Sequence, residues 1–115
     1  TLIELMIVIA IIGILAAIAI PQFSAYRARG FNAQANSDVK NAYTAAQAYF
    51  AENPAGTVTL TLLENHGFKA SADVTTAITA NKDTLSTLEI TSTPANGTLV
   101  YTVDVNGTIT SAAKQ

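Results

Sequence analysis

The chain has no cysteine and a single histidine in 115 residues. Without cysteine there is no disulfide, thiolate nucleophile or Cys-ligated metal site, and one histidine cannot build a multi-His centre. No metal and no cofactor are therefore expected. Charge is also scarce: Asp, Glu, Lys and Arg make up 12% of the sequence, against about 25% in an ordinary soluble domain. Six basic residues face eight acidic ones, with a pI near 5.1, so the chain has no basic surface for counterion-driven binding of nucleic acid. No acidic pair, phosphate-binding glycine loop or nucleophile elbow accompanies His66. Its place beside Gly67 suits a helix C-terminus, where a cation meets the macrodipole favourably. These absences argue against an enzyme.

The first 26 residues contain one charge, Glu4. From Leu5 to Ile20 every position is apolar, so a helix built from this stretch has no face to show water. With Leu2 and Ile3 it runs to about twenty residues, which at 1.5 Å each matches a hydrocarbon core of about 30 Å. The apolar residues outweigh Glu4, and insertion into a bilayer is favourable. A secretory signal peptide would carry a basic n-region where Glu4 stands, and a buried core helix is usually shorter. Glu4 is either wet at the head-group level or an intramembrane acid with a function.

Thr1-Leu2-Ile3-Glu4-Leu5, followed by Gly13-Ile14-Leu15-Ala16-Ala17-Ile18-Ala19-Ile20-Pro21 and Gln22-Phe23-Ser24-Ala25-Tyr26, closely resembles the mature N-terminus of bacterial type IV pilins. The resemblance implies an inner-membrane precursor cleaved by a prepilin peptidase, taken up by the pilus assembly machinery and polymerised into an extracellular helical filament of identical subunits. It also implies a methylated Phe immediately before Thr1, where this sequence departs by opening at Thr1. The filament core would be lined by Leu2, Ile3, Leu5, Ile7, Ile9, Ile12, Leu15 and Ile18. Pro21 has no N–H to give the Ala17 carbonyl and Gly13 is a second weak point; the resemblance places helix loosening on assembly between them, and a plain Pro kink is the alternative. No Lys or Arg precedes Arg27, so a desolvated Glu4 requires an N-terminal amine, and by the resemblance a neighbour's.

After Pro21 the composition turns to Ala, Gln, Asn and Tyr. Phe31, Ala35, Val39, Ala42, Ala46 and Tyr49 recur at three- and four-residue steps and form one stripe, with Asn36, Lys40 and Gln47 off it. Asn53-Pro54 ends the helix, giving a rod of about 80 Å. Leu60, Leu62 and Leu63 read as a short helix closed by Gly67 and covered by Phe68. Val74, Thr76 and Ile78, then Leu88 and Ile90, then Leu99, Tyr101 and Val103, and finally Ile109 predict a three- or four-stranded antiparallel meander lying on the stripe. Asn96-Gly97 and Asn106-Gly107 read as two-residue hairpin turns with positive φ. Each is also followed by Thr, an N-x-Thr pattern that the turns already explain. The predicted fold is α+β: residues 1–21 a transmembrane or filament-core segment, 22–53 its amphipathic continuation, and 54–115 a head with no Cys pair to close its last loop.

Six of the eight aromatics lie on the helix, Phe23, Tyr26, Phe31, Tyr43, Tyr49 and Phe50. We read them as core filler; charge transfer through a polymer is the alternative that the resemblance raises. Arg27 and Arg29 follow the apolar run. By the positive-inside rule they would hold the head in the cytoplasm, whereas the resemblance implies the opposite orientation, in which they can pair with acids of neighbours such as Asp38 or Glu52. The function implied is a structural pilus subunit, with adhesion, motility, DNA uptake and electron conduction all compatible with it. The alternatives are a pseudopilin of a type II secretion system and a membrane-anchored secreted binding domain.

Overall fold

A computed structural model describes residues 1–115. Helix α1 runs from Leu2 to Glu52, 51 residues without a break. The molecule measures 78 × 23 × 18 Å, and the long axis is that helix. Its end falls where the sequence places it: Asn53 is the C-cap and donates its N–H to the Tyr49 carbonyl at 2.9 Å, while Pro54 keeps Asn53 out of the helical conformation. Pro21 stands inside the helix and removes one donor from the ladder, yet the flanking turns stay helical. In the single chain there is thus no melted interval between Gly13 and Pro21.

Only the second half of α1 packs on anything. Ala35, Val39, Ala42, Ala45, Ala46, Tyr49 and Phe50 are buried, and Asn32 and Asp38 are buried with them. Phe31, at the start of the expected stripe, is half-buried, as are Asn36 and Gln47; Lys40 faces water. Alanine at four of these positions lets the sheet come close to the helix axis. The core is completed by Val58, Leu63, Phe68, Leu88, Ile90 and Val103, each large apolar side chain contributing about 1.5–3 kcal/mol when fully buried.

Helix α2, Leu60–Asn65, starts at Thr59, whose side chain accepts from the Leu62 N–H at 3.3 Å. It ends in a Schellman motif: Phe68 N–H bonds the Leu63 carbonyl, Gly67 N–H bonds the Glu64 carbonyl, and Gly67 takes φ +94°. Phe68 then covers Leu63, and both are buried.

Four strands follow, β1 Val74–Ile78, β2 Ile90–Pro94, β3 Leu99–Val103 and β4 Ile109–Ala113, paired antiparallel in sequence order. The fold is α+β, a long helix carrying a four-stranded meander. Ile90 pairs with Val103 and Val103 with Ile109, which lines up the apolar positions on the helix side. β1, β2 and β3 pack on α1; β4 reaches the core only through Ile109, and from Thr110 onward its residues are exposed.

Both hairpins differ from the two-residue expectation. Between β2 and β3 the loop has four residues, Ala95 to Thr98, and neither Asn96 nor Gly97 has positive φ. This loop is shaped by Asn32 of α1, whose Oδ1 accepts from Thr98 N at 2.9 Å and Leu99 N at 3.1 Å. Between β3 and β4 the turn is centred on the three residues Val105 to Gly107, closed by Asp104 N to Thr108 O at 3.1 Å and Gly107 N to Asp104 O at 3.0 Å. Gly107 alone takes positive φ, +79°, the signature of a type I turn followed by a G1 bulge. Asp104 Oδ1 accepts from Asn106 N and Thr108 N, both at 2.9 Å, and holds that shape.

Candidate functional site

The feature that needs a function is the free half of α1. Leu2, Ile3, Leu5, Ile7, Ile9, Ile12, Leu15 and Ile18 are all exposed, from 54% at Ile7 to 74% at Leu2. No side of this segment rests on the head, and none of its apolar stretch is buried. A Cβ at Gly13 would meet nothing within 4 Å beyond the backbone of its own helix. A contiguous apolar surface this large exceeds the few hundred Å² that soluble monomers tolerate, so lipid or other protein must cover it. The helix is long and apolar enough to cross a membrane.

At the tip, Glu4 sits in a capping box. Thr1 N donates to Glu4 Oε2 at 2.6 Å, and Glu4 N donates to Thr1 Oγ1 at 3.4 Å. This satisfies donors that the first turn leaves free. Within the single chain, a nitrogen three residues away already meets Glu4. The signal is readable in the sequence, since Thr-x-x-Glu before an apolar run is a helix-start pattern. Both residues are largely exposed, 77% and 78%, so the contact is weak in water and free to exchange.

Arg27 and Arg29 lie where the helix enters the head. Each rests against an aromatic ring of its own helix: the Arg27 guanidinium carbon is 5.9 Å from the Phe31 centroid, and that of Arg29 is 5.5 Å from Tyr26. Neither has a carboxylate partner: the ion pairs between side chains are His66–Glu52 and Lys82–Glu89. The acids considered as their partners are differently placed. Asp38 is 3% exposed and accepts from Ser71 N at 2.8 Å and Ser71 Oγ at 2.9 Å, so a neighbouring subunit cannot reach it. Glu52 lies 3.4 Å from His66 Nε2.

The aromatics divide in the same way. Tyr49 and Phe50 are core, in edge contact at 5.4 Å between centroids, and Tyr43 donates its hydroxyl to the Val105 carbonyl at 3.1 Å. Phe23 and Tyr26 are exposed on the free part of the helix, and are not filler within this chain. Asn32 and Asp38, which tie the helix to the head, escape sequence reasoning because their partners lie 66 and 33 residues away and nothing local announces them.

His66 caps α2 as expected. Its Nδ1 bonds the Leu62 carbonyl at 2.8 Å, and since a carbonyl only accepts, Nδ1 carries a proton. The Leu62 carbonyl, and behind it Glu52, raise the pKa of His66 above 6.5. No group of His, Asp and Glu side chains is arranged to hold a metal ion.

Comparison with known proteins finds relatives named pilin and fimbrial protein. The chain is 58% identical over 52 residues to the type IV major pilin protein PilA of Myxococcus xanthus, covering 45% of this chain and 24% of that protein. It is 60% identical over 52 residues to a fimbrial protein of Pseudomonas aeruginosa, 45% of this chain and 34% of that one. With the type IV major fimbrial protein FimA of Dichelobacter nodosus it shares 50% over 56 residues, 49% and 36% of the two chains. The similarity to pilins therefore spans about half of this chain and about a quarter to a third of the relatives' own lengths. No family model matches the chain.

Proposed function

We infer that this chain is a structural subunit of a type IV pilus, anchored in the inner membrane by the free half of α1 and then polymerised through the same surface into an extracellular helical filament. The observation that carries this reading is one helix, apolar on every side for about twenty residues and wholly unpacked by its own head. Lipid can cover such a surface before assembly. Copies of the same segment can cover it afterwards, at about 25 cal/mol per Å² in either case. The relatives named pilin and fimbrial protein support the second environment. Residues 1–21, 22–53 and 54–115 would then serve as anchor and filament core, connecting helix, and outward-facing head. A prepilin peptidase and an assembly machinery would be the enzymes and partners required. No catalytic role is proposed.

Within the filament Glu4 lies in a dry core, where an unpaired carboxylate is too costly to persist. The exposed capping contact is then exchanged for a neighbour's N-terminal amine, which is satisfied at one axial offset only. Gly13 and Pro21 supply the weak interval in which the helix can extend as copies pack. Arg27 and Arg29, free of acids in their own chain, meet carboxylates of other subunits on the head surface.

Shearing cells and imaging the released material tests the reading. Long filaments that carry this chain along their length support it. Short, membrane-associated assemblies only would instead favour a pseudopilin, and a monomeric membrane-bound product a tethered binding domain.

A further inference from the structure

Where α1 enters the head, a groove of about 330 Å³ opens between the helix and the β2–β3 loop, lined by Ser24, Arg27, Ala28, Phe31, Asn96 and Thr98. Each of its polar side chains can donate a hydrogen bond. Ser24, Arg27, Ala28 and Phe31 stand at i, i+3, i+4 and i+7, one face of the helix, so a hydroxyl and a guanidinium point the same way. Across from them, Asn96 brings an amide. The Thr98 hydroxyl oxygen already accepts from Asn32 Nδ2 at 3.0 Å, which leaves its own proton to donate. No acid lines the groove, and Arg27 has no carboxylate partner in the chain.

The loop wall cannot drift. Asn32 holds Thr98 and Leu99 by their N–H groups, and a Cβ at Gly97 would strike Asn32 Oδ1 and Pro94. Arg27 in turn is braced on the Phe31 ring. A set of possible donors around a guanidinium without a carboxylate partner suits an oxyanion with several acceptor oxygens, and a phosphodiester meets a guanidinium in two-point fashion.

Position selects the source of the phosphate. Arg27 stands seven residues beyond Ile20, the end of the apolar run, or about 10 Å along the axis. The polar layer of a bilayer adds roughly 5–8 Å on each side of the hydrocarbon, and an arginine stem reaches back toward it. We propose that, before assembly, this groove seats the phosphodiester of a membrane phospholipid, with Arg27 as its cation and Ser24, Asn96 and Thr98 as its donors. Seating the lipid fixes the depth and rotation of the head above the bilayer. Arg29, two residues along the helix and against Tyr26, has no such groove. The inference rests on the membrane-anchored reading above.

The test uses the full chain in vesicles of digalactosyldiacylglycerol, which contain no phosphorus, with or without phosphatidylglycerol. Carbon–phosphorus dipolar dephasing is read by solid-state NMR at the arginine Cζ, with Arg29→Lys and Arg27→Lys each leaving a single arginine. With phosphatidylglycerol, the Arg27 carbon should dephase strongly and the Arg29 carbon little, and Thr98→Val combined with Ser24→Ala should weaken the Arg27 effect. Equal dephasing at both arginines would overturn the groove, leaving two ordinary interfacial cations. Dephasing by inorganic phosphate in the galactolipid vesicles, matching that from the lipid, would overturn the lipid as ligand. Co-flotation is measured on the same samples: a chain that fails to float removes the anchoring reading and the groove together, whereas a chain that floats without Arg27 dephasing removes the groove alone.

Discussion

Asn32 on α1 grips Thr98 in the β2–β3 loop, accepting from its N–H at 2.9 Å and donating to its hydroxyl at 3.0 Å, while also accepting from Leu99 N at 3.1 Å. One buried amide therefore ties the rod to the β2–β3 loop. Asn32→Ala removes the acceptor of two part-buried backbone donors, whose combined loss stays within the about 1–3 kcal/mol of one fully desolvated unpaired group because water reaches them. We expect urea unfolding of the head in detergent to move to a lower midpoint with an unchanged slope, the midpoint shift multiplied by the slope giving a loss of about 1–3 kcal/mol. An unshifted midpoint would show that water replaces the amide without loss.

Gly67 and Gly97 separate two reasons for glycine. At Gly67 nothing lies within 4 Å of the place a Cβ would take, but φ is +94°, so Gly67→Ala carries only backbone strain, about 1–2 kcal/mol. At Gly97 the conformation is ordinary and space is lacking, with Pro94 Cβ at 3.0 Å from the would-be methyl. Gly97→Ala should be the more damaging substitution and should also perturb the Asn32 amide resonances; Gly67→Ala should leave those resonances in place.

His66 titrates above 6.5 because the Leu62 carbonyl first, and Glu52 after it, favour the protonated ring. A raised folded pKa means that the His66 contribution to stability is fully present below about pH 6.5 and is lost as pH rises through the folded value. An NMR titration should place the His66 midpoint above that of an unfolded control. Glu52→Gln should lower the midpoint without abolishing the shift, since the carbonyl contact remains. A midpoint at or below the control would contradict the hydrogen-bonded arrangement.

Glu89 titrates in the opposite direction. Lys82 Nζ donates to its Oε2 at 2.6 Å and holds the carboxyl below its ordinary range, with Thr79 assisting. The stabilisation is present above the unfolded pKa and fades as pH falls through the folded one. Lys82→Met should raise the Glu89 midpoint, with little effect on stability at neutral pH, because solvent-accessible pairs of this kind contribute little.

Glu4 can be probed by charge and by capping separately. Gln can fill the third helical position of a capping box as Glu does, so Glu4→Gln keeps the helix start and removes the charge. Under the filament reading both Glu4→Gln and Glu4→Ala should still enter membranes, and both should yield few sheared filaments. Normal filament yield from Glu4→Gln, with loss in Glu4→Ala alone, would reduce Glu4 to a capping residue.

Sequence alone determined the features of this chain that follow a helix or strand period or a short stop signal. The all-apolar run to Ile20, the stop at Asn53-Pro54, the Gly67 cap with Phe68 over it and the alternation of Val74, Ile90 and Val103 are short-range patterns, because a 3.6- or two-residue period decides which side chains share a face. The pilin resemblance rests on the same first stretch. Tertiary structure alone decided what lies between distant segments. Asn32 turns an Asn-Gly pair into a four-residue loop, Ser71 takes Asp38 out of reach of any neighbour, and the β2–β3 loop brings Thr98 and Asn96 beside Arg27. A buried polar group must find its partner wherever the fold delivers one, and along the chain that partner leaves no periodic trace.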